Sequence, residues 1–352
     1  MDNRRVIIVD FNHLAYKYLY GSAPLSHVIN VNNVPTTINT TIQTYSIKSL
    51  HRWSNRGINP MAVCFDSPCG SRKAYFSNTD IATKEYKGGR KGLPNKVIEA
   101  INMTANLLVA GGVSCYRALN YEADDLIFAC VDMAKRLYPD LPIDIITSDL
   151  DLVPLVDEQV SVFLQSTKYT RAISKDIEKR HYVQITPDTY QKEMESLSYF
   201  KTGSSNISVP YNSVLLYKLL RGDKADGIAG NPDFKPRVYN QVIDLLLSNN
   251  EDICDLFRYG KERPVYNTEG KLIAYKDPVE LDRICEVLIK YIEDDDIEWV
   301  RKIYRGINLN TSYLNVPDNL KRTPIELKSE IRGYSADKLQ QSVDLLNIRL
   351  PL

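Results

Sequence analysis

Aspartate closes two of the most apolar runs in this chain. Val6-Ile7-Ile8-Val9 ends at Asp10, and Met61-Ala62-Val63-Cys64-Phe65 ends at Asp66. A third run, Ile143-Asp144-Ile145-Ile146-Thr147, leads into Ser148-Asp149-Leu150-Asp151, and Glu122-Ala123-Asp124-Asp125 opens a stretch with one apolar helical face. In parallel α/β sheets ligands bind at the carboxyl ends of the strands, so these acids are expected to converge on one edge. Converging carboxylates repel one another unless a cation neutralises them. All-oxygen donors select hard ions, here Mg²⁺ or Mn²⁺. Ions held this way suit phosphodiester hydrolysis, because they acidify a bound water and stabilise the departing oxygen. The helix dipole alone would favour acids at 122–125, but it accounts for one element and not for the strand ends.

A second acidic pair lies in Gly222-Asp223-Lys224-Ala225-Asp226-Gly227-Ile228-Ala229-Gly230. Asp223 and Asp226 are three apart, a spacing that lets both face one way on a helical turn. The glycines predict a tight loop between helices whose backbone N–H groups could hold a phosphate or an ion. Basic charge is local too. Residues 71–98 carry Arg72, Lys73, Lys84, Lys87, Arg90, Lys91 and Lys96 against only Asp80 and Glu85. Tyr75, Phe76 and Tyr86 are interleaved, a composition suited to phosphates and base stacking. A solvated surface loop is the plainer alternative.

These residues need a scaffold. Continuous apolar runs rich in β-branched residues are expected to be fully buried strands of a parallel sheet. Residues 160–164 supply a fourth such run. Helices are predicted between them over 38–53, 96–110 and 123–137, the second closed by Gly111-Gly112. Strands alternating with helices give an α/β fold over residues 1–185, a parallel central sheet with flanking helices. Thr186-Pro187-Asp188 reads as an N-cap with proline at the first helical position. From there the chain is expected to be helical through 352, over 214–220, 238–247 and 278–291, with a polar surface loop at 201–208.

The 352 residues carry 44 basic and 44 acidic side chains, a net charge of zero. There is no global field to steer the chain onto a polyanion. Setting aside the nine candidate carboxylates, however, leaves an excess of basic charge. With 43% hydrophobic and 25% charged residues the chain is an ordinary globular one. No run of 18 apolar residues and no signal-peptide core is present, so no membrane span and a cytoplasmic location are expected. The six cysteines are scattered and expected to be buried free thiols, and the four histidines form no zinc pattern.

Taken in order, Val9-Asp10-Phe11-Asn12, Phe65-Asp66, Tyr86-Lys87-Gly88-Gly89-Arg90, Glu122-Ala123-Asp124-Asp125, Ser148-Asp149-Leu150-Asp151 and Gly222-Asp223-Lys224-Ala225-Asp226-Gly227-Ile228 resemble the motifs of the 5′ nuclease superfamily. That superfamily comprises flap endonucleases, the 5′ nuclease domain of bacterial DNA polymerase I and phage 5′→3′ exonucleases. Each motif is weak alone, and the ordered set is specific. The resemblance implies a PIN-like nuclease fold and two or more Mg²⁺ or Mn²⁺ ions. Asp10, Asp66, Glu122, Asp124 and Asp125 would form a first metal cluster, and Asp149, Asp151, Asp223 and Asp226 a second. Lys87 and Arg90 would act on the scissile phosphate from a basic arch, at about residues 70–98. Arg72, Tyr86 and Lys91 would contact nucleic acid. The implied substrate is DNA with a 5′ flap, a nick or an RNA primer, and the implied protein a monomer.

One segment departs from the pattern. After the Gly-Asp motif the family has a second glycine-rich hairpin, completing a helix–three-turn–helix element that often binds K⁺. Here the chain reads Ala229-Gly230-Asn231-Pro232-Asp233-Phe234-Lys235-Pro236-Arg237. This puts the K⁺ site in question and makes Lys235 and Arg237 the expected phosphate contacts. The altered segment is more similar to the ribonuclease H of T-even phages. Alternative readings are a PIN-type ribonuclease, which usually lacks the 222–230 element, and a non-catalytic nucleic-acid-binding replication protein on the same fold. A haloacid-dehalogenase-like phosphatase would need an acid at Asn12. Gln341-Ser342-Val343-Asp344-Leu345-Leu346 resembles a sliding-clamp-binding peptide, with a packed terminal helix as the alternative. A clamp or a single-strand-binding protein is the partner expected besides DNA.

Overall fold

Four strands are apolar along almost their whole length and buried on both faces: β1 (Val6–Asp10), β4 (Met61–Cys64), β6 (Ile143–Thr147) and β7 (Val160–Gln165). With the short edge strand β5 (Ser114–Tyr116) and β8 (Tyr182–Ile185) they form one six-stranded sheet, ordered β5-β4-β1-β6-β7-β8. All pairs are parallel except β7 with β8. The chain runs outward from β1 through β4 to β5, then crosses to β6 on the other side of β1. The carboxyl ends of β4, β1 and β6 therefore meet at the switch point, where open α/β sheets bind ligands. This computed structural model describes residues 4–68, 70–79, 86–88, 92–165, 182–197, 201–202, 205–206, 222–223, 226–229, 263–266, 272–276, 298, 300–302, 305, 331–344, 346 and 348–351.

Helices cover both faces. Asp10 caps α1 (Phe11–Gly21), its carboxylate accepting from the His13 N–H at 3.3 Å. α2 (Thr41–Trp53) starts three residues later than the predicted helix, because Ile38 belongs to a hairpin of β2 (Ser26–Val31) and β3 (Val34–Asn39). α3 (Gly70–Ser77) follows β4, and α4 (Asn95–Ala110) ends on Gly111. α5 (Ala123–Leu137) buries Leu126, Ile127, Cys130, Val131 and Ala134 on one face, as its periodicity predicts. A 3₁₀ turn, Leu150–Leu155, leaves β6. Thr186 does not lead straight into a helix. It pairs with Thr189 in a turn, and α6 (Tyr190–Leu197) begins after that turn.

Beyond α6 the described pieces are mostly short antiparallel ladders. Lys201–Thr202 (β9) pairs with Ser205–Asn206 (β10), inside the stretch expected to be a loop. Gly222–Asp223 (β11) pairs with Ile228–Ala229 (β12), and Arg263–Tyr266 (β13) with Leu272–Lys276 (β14). The helices expected at 214–220, 238–247 and 278–291 lie outside the described residues.

The chain then returns to the six-stranded sheet and its helices. The Met61 N–H donates to the Arg332 carbonyl at 3.3 Å, and the Tyr334 hydroxyl lies 3.0 Å from His51 Nδ1 and 2.6 Å from Ser54 Oγ. The closing helix, α7 (Ala336–Asp344), packs on α4, and Leu339, Val343, Leu346 and Ile348 join the main core. The clamp-like segment is therefore not displayed: Val343 and Leu346 are buried, and the packed-helix alternative holds. Among the described residues, no helix is long and apolar enough to cross a membrane.

Candidate active site

Asp10, Asp66, Glu122, Asp124 and Asp149 line one cavity of about 400 Å³ over the switch point, together with Asn12, His13, Tyr16, Lys17, Lys87, Ala123, Ser148 and Gln165. Asp10 is 8% exposed at the end of β1, and its other oxygen accepts from the Thr147 hydroxyl at 3.1 Å. Asp66, beyond the end of β4, accepts the Ala123 N–H at 2.7 Å and the Asn12 amide. Asp149, after β6, caps the 3₁₀ turn by accepting the Asp151 N–H at 2.9 Å. Asp124 enters from the first turn of α5. Three strand ends and one helix start thus meet at one edge, as their spacing predicts.

The acids are not equivalent. Burial, then the charge of Asp66, pushes Asp10 up to about 7. Asp66 itself is raised, by desolvation first and the Glu122 charge next among the raising influences. Asp124 is raised well above the ordinary range by burial, then by Asp149, Asp10, Glu122 and Asp151. Glu122 goes the other way. Burial opposes its charge, yet Arg72 and Lys87 outweigh burial and hold the carboxyl at about 2.

That reversal comes from α3 and the segment after it. Arg72 was expected on nucleic acid, but it is 4% exposed and lies 2.6 Å from both Glu122 and Asp125. The reason is local: it projects from α3 onto the acidic start of α5, where two buried carboxylates need a counter-ion. Tyr86 is likewise withdrawn from base stacking. It is 8% exposed, stacks on Phe76 at 5.0 Å and donates to Glu122 at 3.1 Å. Asp125 is fully buried, paired with Arg72, and completes a capping box with Glu122. It does not line the cavity. Lys87 does, and its ammonium bonds Glu122.

The second acidic set is split. Asp151 adds to the repulsion that raises the Asp124 pKa without lining the cavity. Asp223 ends β11 and Asp226 lies in the turn that leads to β12, so the pair is not on a helical turn; the Asp226 N–H donates to Asp223 Oδ1 at 3.3 Å. Asp226 still meets the segment after α3, since its carbonyl accepts the Lys87 N–H at 3.1 Å. Arg90, Lys91, Lys235 and Arg237 lie outside the described residues. Sequence reasoning missed His13, Tyr16 and Lys17. The signal was available: they follow Asp10 on a helix that starts at the cavity, so their first turns face it. His13 is buried, held down to about 3 by burial and Lys17, and its Nε2 meets the Tyr182 hydroxyl at 2.8 Å.

Among the described residues, no three acids or histidines already close around a single point as a metal shell. The donor chemistry nevertheless fits hard cations. Every acid in the cavity offers oxygen, and burial first, then neighbouring carboxylates, raises the pKa of Asp10, Asp66 and Asp124, so their charged forms would be stabilised by a divalent ion.

Residues 5–184, half of the chain, match the family model described as 5′–3′ exonuclease, N-terminal resolvase-like domain. This chain belongs to the 5′–3′ exonuclease family. Within that family it is 28% identical over 226 residues to DNA polymerase I of Caldicellulosiruptor bescii, covering 64% of this chain and 22% of that one. It is 24% identical over 245 residues to a 5′–3′ exonuclease of Mycoplasma pneumoniae, covering 69% and 72%. The chain spans less than a third of the length of the polymerases it matches first. A solved T5 5′-exonuclease with bound divalent zinc aligns over 98% of this chain and 99% of that one, at 15% identity and a TM-score of 0.49.

Proposed function

We propose that this member of the 5′–3′ exonuclease family hydrolyses phosphodiester bonds near the 5′ ends of DNA strands or RNA primers, at flaps or nicks, in a divalent-metal-dependent reaction. The observation that carries the reading is the convergence of Asp10, Asp66, Asp124 and Asp149 on one cavity, with the pKa of three of the four raised above the ordinary carboxylate range. These acids would hold Mg²⁺ or Mn²⁺, with Asp151, Asp223 and Asp226 as the candidate set for a further ion. When bound, such ions supply an activated water and neutralise charge on the departing 3′ oxygen.

The chain's own residues do the rest. Lys87 sits at the cavity with its ammonium on Glu122, within reach of a phosphate entering beside Asp66. Lys17 offers a second cation in the cavity lining, resting 4.7 Å from the Tyr182 ring centre. Tyr16, 43% exposed and stacked on Tyr20, gives the rim an aromatic surface for a terminal base. Residues 1–185 supply the cavity and the arch. The region from 186, with its 222–229 ladder, supplies the grip on the duplex. Arg90, Lys91, Lys235 and Arg237 complete the proposed phosphate contacts.

Lys87→Ala tests the phosphate role. It is expected to slow cutting of a 5′-labelled flap on the order of 100-fold while changing duplex affinity little. An unchanged rate would remove Lys87 from the reaction.

A further inference from the structure

Arg72 joins α3 to the first turn of α5. Its Nη1 lies 2.6 Å from Glu122 Oε2 and its Nη2 2.6 Å from Asp125 Oδ1. Asp125 in turn accepts the Glu122 N–H at 3.0 Å. One planar guanidinium therefore grips both ends of the capping box. An ammonium could not span two carboxylates in the same way. Between the gripped residues lie Ala123, whose N–H holds Asp66 at 2.7 Å, and Asp124, which lines the cavity.

We propose that Arg72 is a positioning residue for the nuclease reaction: by clamping Glu122 and Asp125 it sets where Asp124 and Asp66 stand in the cavity, without touching substrate. This rests on the reading of the cavity as a metal-assisted phosphodiester site. Two features of the network support it. Arg72 and Lys87 neutralise Glu122 and Asp125, so the charge left for an added cation is concentrated on Asp10, Asp66, Asp124 and Asp149. Arg72 also follows Asp66 on the same connection out of β4, so docking of α3 fixes the Asp66 loop at both ends. Phe76 of the same helix stacks on Tyr86 and so fixes the segment that carries Lys87.

The test measures Mn²⁺ binding to the full chain without DNA by electron paramagnetic resonance. Duplex affinity, kcat and KM on a 5′ flap are measured beside it, for the wild type, Arg72→Lys and Arg72→Gln. Arg72→Gln is expected to bind Mn²⁺ about 10- to 100-fold more weakly and to lose kcat, with KM at saturating Mn²⁺ and the salt dependence of duplex binding in chelator both unchanged. Arg72→Lys is expected to recover part of both losses. Should Arg72→Gln not fold, Asp125→Asn removes one arm of the clamp at constant shape and carries the same expectation. Unchanged Mn²⁺ affinity in these variants would overturn the proposal. So would a raised KM with a shallower salt slope, the mark of a direct phosphate contact. A wild type that binds no Mn²⁺ would instead overturn the metal reading of the cavity.

Discussion

Asp10 and Glu122 face the same cavity, are both nearly buried, and are driven to opposite acidities. Glu122 has cations at bonding distance, while Asp10 has a hydroxyl, a backbone N–H and a second acid. The consequence is a pH dependence of the metal-free protein. Asp10 is raised from 3.8 to about 7 on folding. The folded state therefore holds a proton that the unfolded chain releases, and stability falls as pH rises from about 4 through about 7. His13, held neutral by burial, opposes this below about pH 6.5, so the Asp10 share is read against Asp10→Asn: in chelator that variant is expected to gain Tm over the wild type more at pH 7.5 than at pH 5. Mg²⁺ is expected to raise Tm more at pH 7.5, where the carboxylates are charged. A Tm difference between the two proteins that is the same at both pH values would contradict this. Asp10→Asn is expected to stabilise the metal-free protein at pH 7.5 and to abolish cleavage. Loss of both stability and cleavage would mean that Asp10 serves the fold.

At the level of elements, the closing helix decides more than its position in the chain suggests. A Cβ on Gly111 would lie 2.6 Å from a Leu339 methyl and 2.9 Å from the Leu339 Cα. Gly111→Ala must therefore push α7 off α4. Leu339→Ala, at a fully buried position, is expected to cost roughly 2–5 kcal/mol by urea unfolding. A cost under about 0.5 kcal/mol, ordinary for a surface position, would show that α7 is not part of the core. The sequence offered a packed terminal helix but not its place, because a nine-residue amphipathic helix does not say which surface it covers. The strands β1, β4, β6 and β7 were legible, since a strand buried on both faces is apolar throughout. The β2–β3 hairpin was missed although Asn32 and Asn33, both at positive φ, make the turn that such hairpins favour. Its inner face is only half-buried, so alternation was weak and Ile38 was absorbed into the next helix. The acids at strand ends were legible as a set. Their division into cavity acids and supporting acids was not, because Arg72 reaches Glu122 and Asp125 across 50 and 53 positions.

For the molecule as a whole, zero net charge conceals an arrangement. Nine candidate acids are set against a basic segment after β4, and part of that opposition is already satisfied internally by Arg72 and Lys87. What remains is an acidic cavity that opposes a polyanion until cations enter. Duplex binding is therefore expected to be tighter, and more steeply salt-dependent, with a divalent ion than in chelator. Ca²⁺, an oxygen-seeking ion, would allow binding to be read apart from cutting. The most direct test of the account is release of 5′-labelled product from a flap substrate in Mg²⁺, run beside Asp10→Ala and Asp149→Ala. The wild type is expected to release short 5′ fragments, and both variants to bind the flap without cutting it. A wild-type protein that binds the flap but leaves it intact in both Mg²⁺ and Mn²⁺ would contradict the account and leave a nucleic-acid-binding protein on a nuclease fold.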